Sequence, residues 1–341
     1  MGQDKQDSEV RDHAVGSARG AGKCSERTTG QRCGIRERRS SSDAAIIAGV
    51  EFADFHAQTC NLLTPFLRAY LEESLPDGKL RDASMHILCR GKMLRATAAL
   101  ATAVSYRPAF AIEEALPEVA ALELVQTFTL IHDDLPVMDN ADFRRGVPSV
   151  HRQFGEGYAL LAGDLLLNLG FLVLVEKARS SPKRKLKMIQ ALSRAVRDIM
   201  EGQALELALS GKKVELPAVE RMQWLKTGSL IAAAFRIGGL LAGIGRGELA
   251  SLNKFARFLG SAYQVKDDLI SAEGEPEEVG KSLEADALLE RPTMVRALGL
   301  KRAQVYFERL HADARKSLDA LSLSNPTLLI GFTKFLVARR K

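Results

Sequence analysis

From about Asp43 onward, apolar residues recur at intervals of three and four, as in Val119, Leu122, Val125 and Phe128. That period belongs to helices with one buried face. It constrains the fold more than any other feature, because alternating strand patterns bounded by turn residues are missing. A chain patterned this way has to bury helix against helix. Pro76, Pro108, Pro117, Pro148, Pro182, Pro217, Pro276 and Pro326 separate the periodic stretches, as residues that lack an N–H and clash with the preceding turn should. The expectation is an all-α fold, a single large helical bundle domain of roughly ten helices over 43–341.

Residues 1–42 read differently. They hold no aromatic residue, and Ser, Gly and Arg dominate. Too little surface can be buried there to offset the entropy of ordering, so a disordered tail is expected. The tail carries nine Lys/Arg against six Asp/Glu, half of the whole chain's formal charge of +6. The body is therefore too weakly basic to argue for nucleic acid. Cys24, Cys33, Cys60 and Cys89 fall in no CxxC or metal-ligand spacing, which points to a reducing, cytoplasmic compartment. The acids Asp4, Asp7, Glu9 and Asp12 oppose an organellar leader, and no compact apolar segment suggests a secretory one. The longest apolar run, Tyr158–Val175, contains Asp164 and is expected to be a buried helix rather than a membrane span.

The unusual segment is LIHDDLPVMD, residues 130–139. Paired aspartates end an apolar helix, and Pro136 disfavours helical backbone at Leu135. A returning loop can gather Asp133, Asp134 and Asp139 at a helix C-terminus, where uncompensated negative charge is unfavourable unless a cation binds. Oxygen-only ligands suit Mg²⁺, which keeps waters and bridges to substrate phosphates. An isolated cluster of this kind reads more readily as a solvated acidic loop. A second pair, Asp267 and Asp268 in YQVKDDLI, makes a metal–diphosphate site the better account. Cations for the diphosphate are at hand in Arg144 and Arg145, in Lys92 and Arg95 three residues apart, and in Lys226 followed by Thr227.

Taken together, these segments resemble the trans-isoprenyl diphosphate synthases, the family of farnesyl and geranylgeranyl diphosphate synthases. The resemblance covers roughly residues 45–341. It is carried in order by RGKMLRA (90–96), DDLPVMDNADFRRG (133–146), GQALEL (202–207), KTGSLI (226–231) and YQVKDDLI (263–270). It implies a bundle around a central cavity with three Mg²⁺ ions, bound by Asp133, Asp134 and Asp139 and, across the cavity, by Asp267 with Asp268 nearby. It implies that Lys92, Arg95, Gln126 and Arg145 hold isopentenyl diphosphate. Arg144, with Lys226, Thr227, Gln264 and Lys281, would hold the allylic diphosphate, and Lys226, Thr227 and Gln264 would also serve catalysis. It further implies a homodimer, and it makes Phe128, five residues before Asp133, the floor that stops the growing product. Packing within the helix is an equally ordinary role for that ring.

The sequence departs from the family at several points. Ser271 replaces a third aspartate after Asp267, Val147 stands where a basic residue is common, and Arg291 and Met294-Val295 replace a Lys and a Tyr-Pro. The leading reading is a short-chain prenyltransferase joining isopentenyl diphosphate to dimethylallyl, geranyl or farnesyl diphosphate. A non-catalytic partner subunit of a heteromeric synthase is the alternative that Ser271 motivates. A terpene cyclase is disfavoured by the cations for a second diphosphate.

Overall fold

The computed structural model describes residues 51–273 and 291–338. Residues Ser41–Lys341 group as one compact unit. The tail expected over 1–42 and the candidate Lys281 lie outside the described residues.

The described part is all-α, with thirteen α-helices where roughly ten were expected. The excess comes from short helices that periodicity over long windows does not resolve. The first four are α1 (Phe52–Ser74), α2 (Lys79–Met85), α3 (Leu94–Tyr106) and α4 (Leu116–Asp133). After a loop come α5 (Val150–Phe154), α6 (Glu156–Glu176) and α7 (Pro182–Leu209). Helix α8 (Leu216–Gln223) runs through a π-helical turn, Trp224–Gly228, into α9 (Ser229–Ala242). Then follow α10 (Arg246–Glu273), α11 (Met294–Leu298), α12 (Leu300–Asp319) and α13 (Thr327–Ala338).

Proline placement explains several boundaries. Pro117, Pro182 and Pro217 sit in the first turns of α4, α7 and α8, where a missing N–H costs no hydrogen bond. Pro65 instead lies inside α1. The loop after α4 holds a small antiparallel hairpin that the sequence pattern did not show, β1 (Phe143–Arg144) against β2 (Val147–Pro148). Its two turn residues have positive φ, +54° at Arg145 and +77° at Gly146, as a tight two-residue hairpin requires.

Helix α4 is the centre of the bundle. Val119, Ala120, Ala121, Leu122, Leu124 and Val125 are all buried, so it is covered on every side. Helix α6 approaches it at Gly170, where a Cβ would lie 2.8 Å from Val125 and 3.3 Å from the Ala121 carbonyl. Helices α3 and α9 approach as closely at Gly238, where a Cβ would meet the Ala99 carbonyl at 2.3 Å. A large apolar cluster joins α1, α3, α4, α6, α7, α9 and the first half of α10. A smaller one, including Val219, Val265, Leu269, Met294 and Leu310, joins α8 and the second half of α10 to α11 and α12.

Two stretches, Glu156–Glu176 and Leu216–Ala242, are long and apolar enough to cross a membrane by length and composition alone. The second is mostly buried inside the bundle. The first, expected to be a buried helix, is buried over less than half of its apolar window. Leu160, Leu161 and Val175 stand exposed on it.

Candidate active site

Helix α4 stops at Asp133. The N–H groups of Asp134 and Leu135 donate back to the carbonyls of Leu130 and His132, closing its last turn. The loop then reverses, and the Asp139 N–H donates to the Asp133 carbonyl at 2.9 Å. This brings Asp133 and Asp139 to the wall of one cavity of about 760 Å³. Asp134 is turned elsewhere. It is fully buried, and both of its oxygens accept from Arg144 Nε at 3.0 Å. Asp267 and Asp268 both line the cavity from α10, but Asp268 is buried and already engaged. It accepts from Gln223 Nε2 at 2.6 Å, from the Met294 N–H at 2.7 Å and from Gln264 Nε2 at 3.4 Å. It thereby ties α10 to α8 and to the start of α11. Ser271, one turn beyond Asp267, also faces the cavity.

The cations are sorted by the fold. Arg95 and Gln126 line the cavity from α3 and α4, and Arg144, Lys226, Thr227 and Gln264 line it from the loop, the π-turn and α10. Lys92 is exposed and outside the lining, and Arg145, half-buried, is outside it as well. Arg145 donates to the Ile87 carbonyl at 2.6 Å and lies directly against Gly91, where a Cβ would fall 2.6 Å from its Cζ. A larger residue there would have to displace the guanidinium. Met93 and Arg145 take left-handed backbone, φ +45° and +54°, and such strain in non-glycine residues gathers at functional sites.

Lys226 and Thr227 owe their position to the π-turn. Gly202 of α7 lies so close that a Cβ would be 2.3 Å from the Lys226 nitrogen. This approach lets Lys226 pair with Glu206 of α7. Arg291 pairs with Asp139 on the opposite wall. Phe128 is buried away from the lining, with its ring edge-on to His132 at 5.1 Å. The apolar wall beside Asp133 is made instead by Thr129, Leu130 and Ile199.

Burial, reinforced by Asp139 and Glu206, pushes the Asp133 carboxyl up to about 6 against the opposing pull of Lys226 and Arg144. Burial works against the charge on Arg144, but its bond to Asp134 and the charges of Asp133 and Asp139 raise its pKa above the ordinary value. Arg95 is pushed down by burial, offset in part by Tyr263 and Glu123, and its buried Nε has no partner among the described residues. A buried acid whose anionic form is disfavoured and a buried guanidinium with an unmatched donor suit a divalent cation and an anion respectively. Among the described residues no three acids converge closely enough to enclose a metal by themselves. An ion bound there would need water and phosphate oxygens to complete its shell, and Asp133, Asp139 and Asp267 are lining carboxylates that could take part.

The sequence matches the polyprenyl synthetase family over residues 77–320. This chain belongs to the polyprenyl synthetase family. It is a prenyltransferase. Farnesyl diphosphate synthase of Escherichia coli K12 is 43% identical over 208 residues, 60% of this chain and 70% of that protein. The large subunit 2 of a heterodimeric geranylgeranyl pyrophosphate synthase from Arabidopsis thaliana is 33% identical over 280 residues, 80% of this chain and 74% of that protein. A geranyltransferase structure from Helicobacter pylori, complexed with magnesium and isoprenyl diphosphate, superposes with a TM-score of 0.72 at 28% identity. It covers 84% of this chain and 96% of its own.

In this polyprenyl synthetase some site residues escape sequence reasoning. Glu206 lies in the GQALEL segment, which flags the place without saying that its carboxylate pairs with Lys226. Glu123 is buried and accepts from the Ala96 N–H at 3.0 Å, beneath the helix start that carries Arg95. Nothing in its spacing distinguishes it from a surface acid. Gln223 is found only through the contact it makes with Asp268.

Proposed function

We propose that this prenyltransferase condenses isopentenyl diphosphate with dimethylallyl, geranyl or farnesyl diphosphate to give farnesyl or geranylgeranyl diphosphate, with Mg²⁺, in three ions, as its cofactor. The observation that carries this reading is one cavity lined by charged and apolar groups together. Asp133, Asp139, Asp267, Arg144 and Lys226 all line it, and so do Thr129, Leu130 and Ile199. When bound, Mg²⁺ supplies the positive charge that offsets a diphosphate leaving group. Arg144 and Lys226 face the same place and stabilise the charge that grows on the departing pyrophosphate. Departure leaves an allylic carbocation, which the apolar wall keeps from water. The double bond of isopentenyl diphosphate, held by Arg95 and Gln126, attacks that cation and forms the new carbon–carbon bond. The proton then lost goes to the released pyrophosphate, so no side-chain base is needed.

Complete acids at the end of α4 favour a catalytic chain over a non-catalytic partner subunit, although one relative is itself the large subunit of a heterodimeric synthase. The exposed apolar residues of α6 support pairing with a second copy. Cys60 and Cys89 are free thiols, in keeping with a cytoplasmic setting.

Purified protein supplied with Mg²⁺, dimethylallyl diphosphate and labelled isopentenyl diphosphate should yield C15 or C20 diphosphate. Failure to form any elongated product would sink the reading. Comparing Phe128→Ala with Ile199→Phe in the same assay locates the floor. Shorter products from I199F alone place it between α4 and α7, and longer products from F128A restore it to Phe128.

A further inference from the structure

Outside the catalytic cavity, α7 and α9 enclose a second groove of about 150 Å³. No residue lines both. Gln190, Arg194 and Asp198 recur every fourth residue along one face of α7, while Ile199 and Glu206 leave the helix toward the catalytic cavity. The groove exists because Ala191, Ala195, Ala232 and Ala233 are too small to fill the space between the two helices. Arg194 borders it from α7, Arg236 from α9, and Trp224 closes one end.

The charges at this groove are unbalanced. Neither Arg194 nor Arg236 takes part in an ion pair or a side-chain hydrogen bond among the described residues. The groove's carboxylate, Asp198, is occupied by Arg197 Nε at 3.0 Å. Arg257, outside the groove's lining, stacks 5.1 Å above the Trp224 ring. Guanidinium groups present planar donor forks that match phosphate and carboxylate oxygens. We propose that this groove is an effector site for a small oxyanion, phosphate or carboxylate, clamped between Arg194 and Arg236 against Trp224.

Its position gives such a ligand a route to the chemistry. Trp224 opens the π-turn, and its ring packs so tightly on Gly228 that a Cβ there would lie 2.5 Å from Cε3. Two residues on, Lys226 and Thr227 enter the catalytic cavity. An anion that shifts the indole therefore shifts the turn that carries them. The binding half of the proposal stands by itself, and the effector half rests on the prenyl-transfer reading.

Trp224 is the chain's single tryptophan, so intrinsic emission reports on this groove directly. The full chain is first assayed for prenyl transfer without added anion, which tests the proposed function separately. It is then titrated with inorganic phosphate and, in a second series, with citrate, which separates the two ligand chemistries. A saturable change in emission is expected with at least one of them. It should weaken tenfold or more in R194Q/R236Q, and in R194Q alone to a lesser degree, and persist in R144Q. No saturable response, survival in R194Q/R236Q, or loss in R144Q would overturn the site. The anion that binds should change kcat at least twofold in the wild type and not in R194Q/R236Q. An unchanged wild-type kcat would overturn the effector role.

Discussion

Asp133 and Asp268 show how neighbouring geometry separates residues that look alike in sequence. Asp133 faces the cavity and holds its proton up to about pH 6, chiefly because it is buried. Its folded pKa lies above the unfolded value, so the folded chain binds more protons between roughly pH 4 and 6. Without a bound cation the protein should therefore gain stability as pH falls through that window, by at most about 3 kcal/mol from this group. Asp133→Asn should abolish that gain, raise the melting temperature at pH 7.5, and lower kcat by a hundredfold or more. Thermal melts at pH 5 and 7.5 beside steady-state rates check all three. Because coordination requires the ionised carboxylate, turnover should fall below about pH 6 even as the metal-free protein becomes more stable. Asp268 behaves in the opposite sense. Its removal leaves the Gln223 amide and the Met294 N–H without their acceptor. Asp268→Ala should therefore cost roughly 2–4 kcal/mol in urea unfolding, while Asp267→Ala should raise the Mg²⁺ requirement.

At the level of elements, the π-turn Trp224–Gly228 matters most for the chemistry. An ordinary α-helical turn would rotate Lys226 and Thr227 to other faces, and single π-turns of this kind recur at functional sites. Its depth in the bundle depends on Gly202, since any Cβ there collides with the Lys226 backbone at 2.3 Å. Gly202→Ala should stabilise α7 locally, as alanine does in helices, yet push the turn outward. The expected outcome is unchanged helical content by circular dichroism and a kcat lowered about tenfold, close to 1.4 kcal/mol of barrier. A fully active G202A would show that the turn has room to adjust. The GQALEL pattern marked this segment, and the reason for its glycine became visible only with the π-turn opposite it.

For the whole molecule, the open question is what covers α6. Leu160, Leu161 and Val175 are large, apolar and exposed on one helix, and exposed apolar surface of this kind marks an interaction face when it is extensive. A two-fold pairing of identical chains would cover it twice over. Light scattering coupled to size exclusion should give the mass of two chains, and L161E/V175E should give one. A monomeric wild type would discard pairing through this face.

The sequence by itself determined the class of architecture and the chemical inventory. Three-and-four periodicity forces helices to bury their faces, and proline marks several of their boundaries. Paired aspartates beside Arg144, Lys226 and Arg95 announce a polyanion site because such charges are costly in apolar helices without a purpose. Tertiary structure decided which member of the first pair is available. Asp133 is open while Asp134 is spent on Arg144, and Arg95 reaches the cavity while Arg145 is held against Gly91. It also turned Phe128 toward His132 and gave the cavity wall to Ile199, a residue far away in sequence. Local pattern specifies which face of a helix is apolar. Only the packing of one helix against another specifies which side chain on that face meets a neighbour and which meets open space.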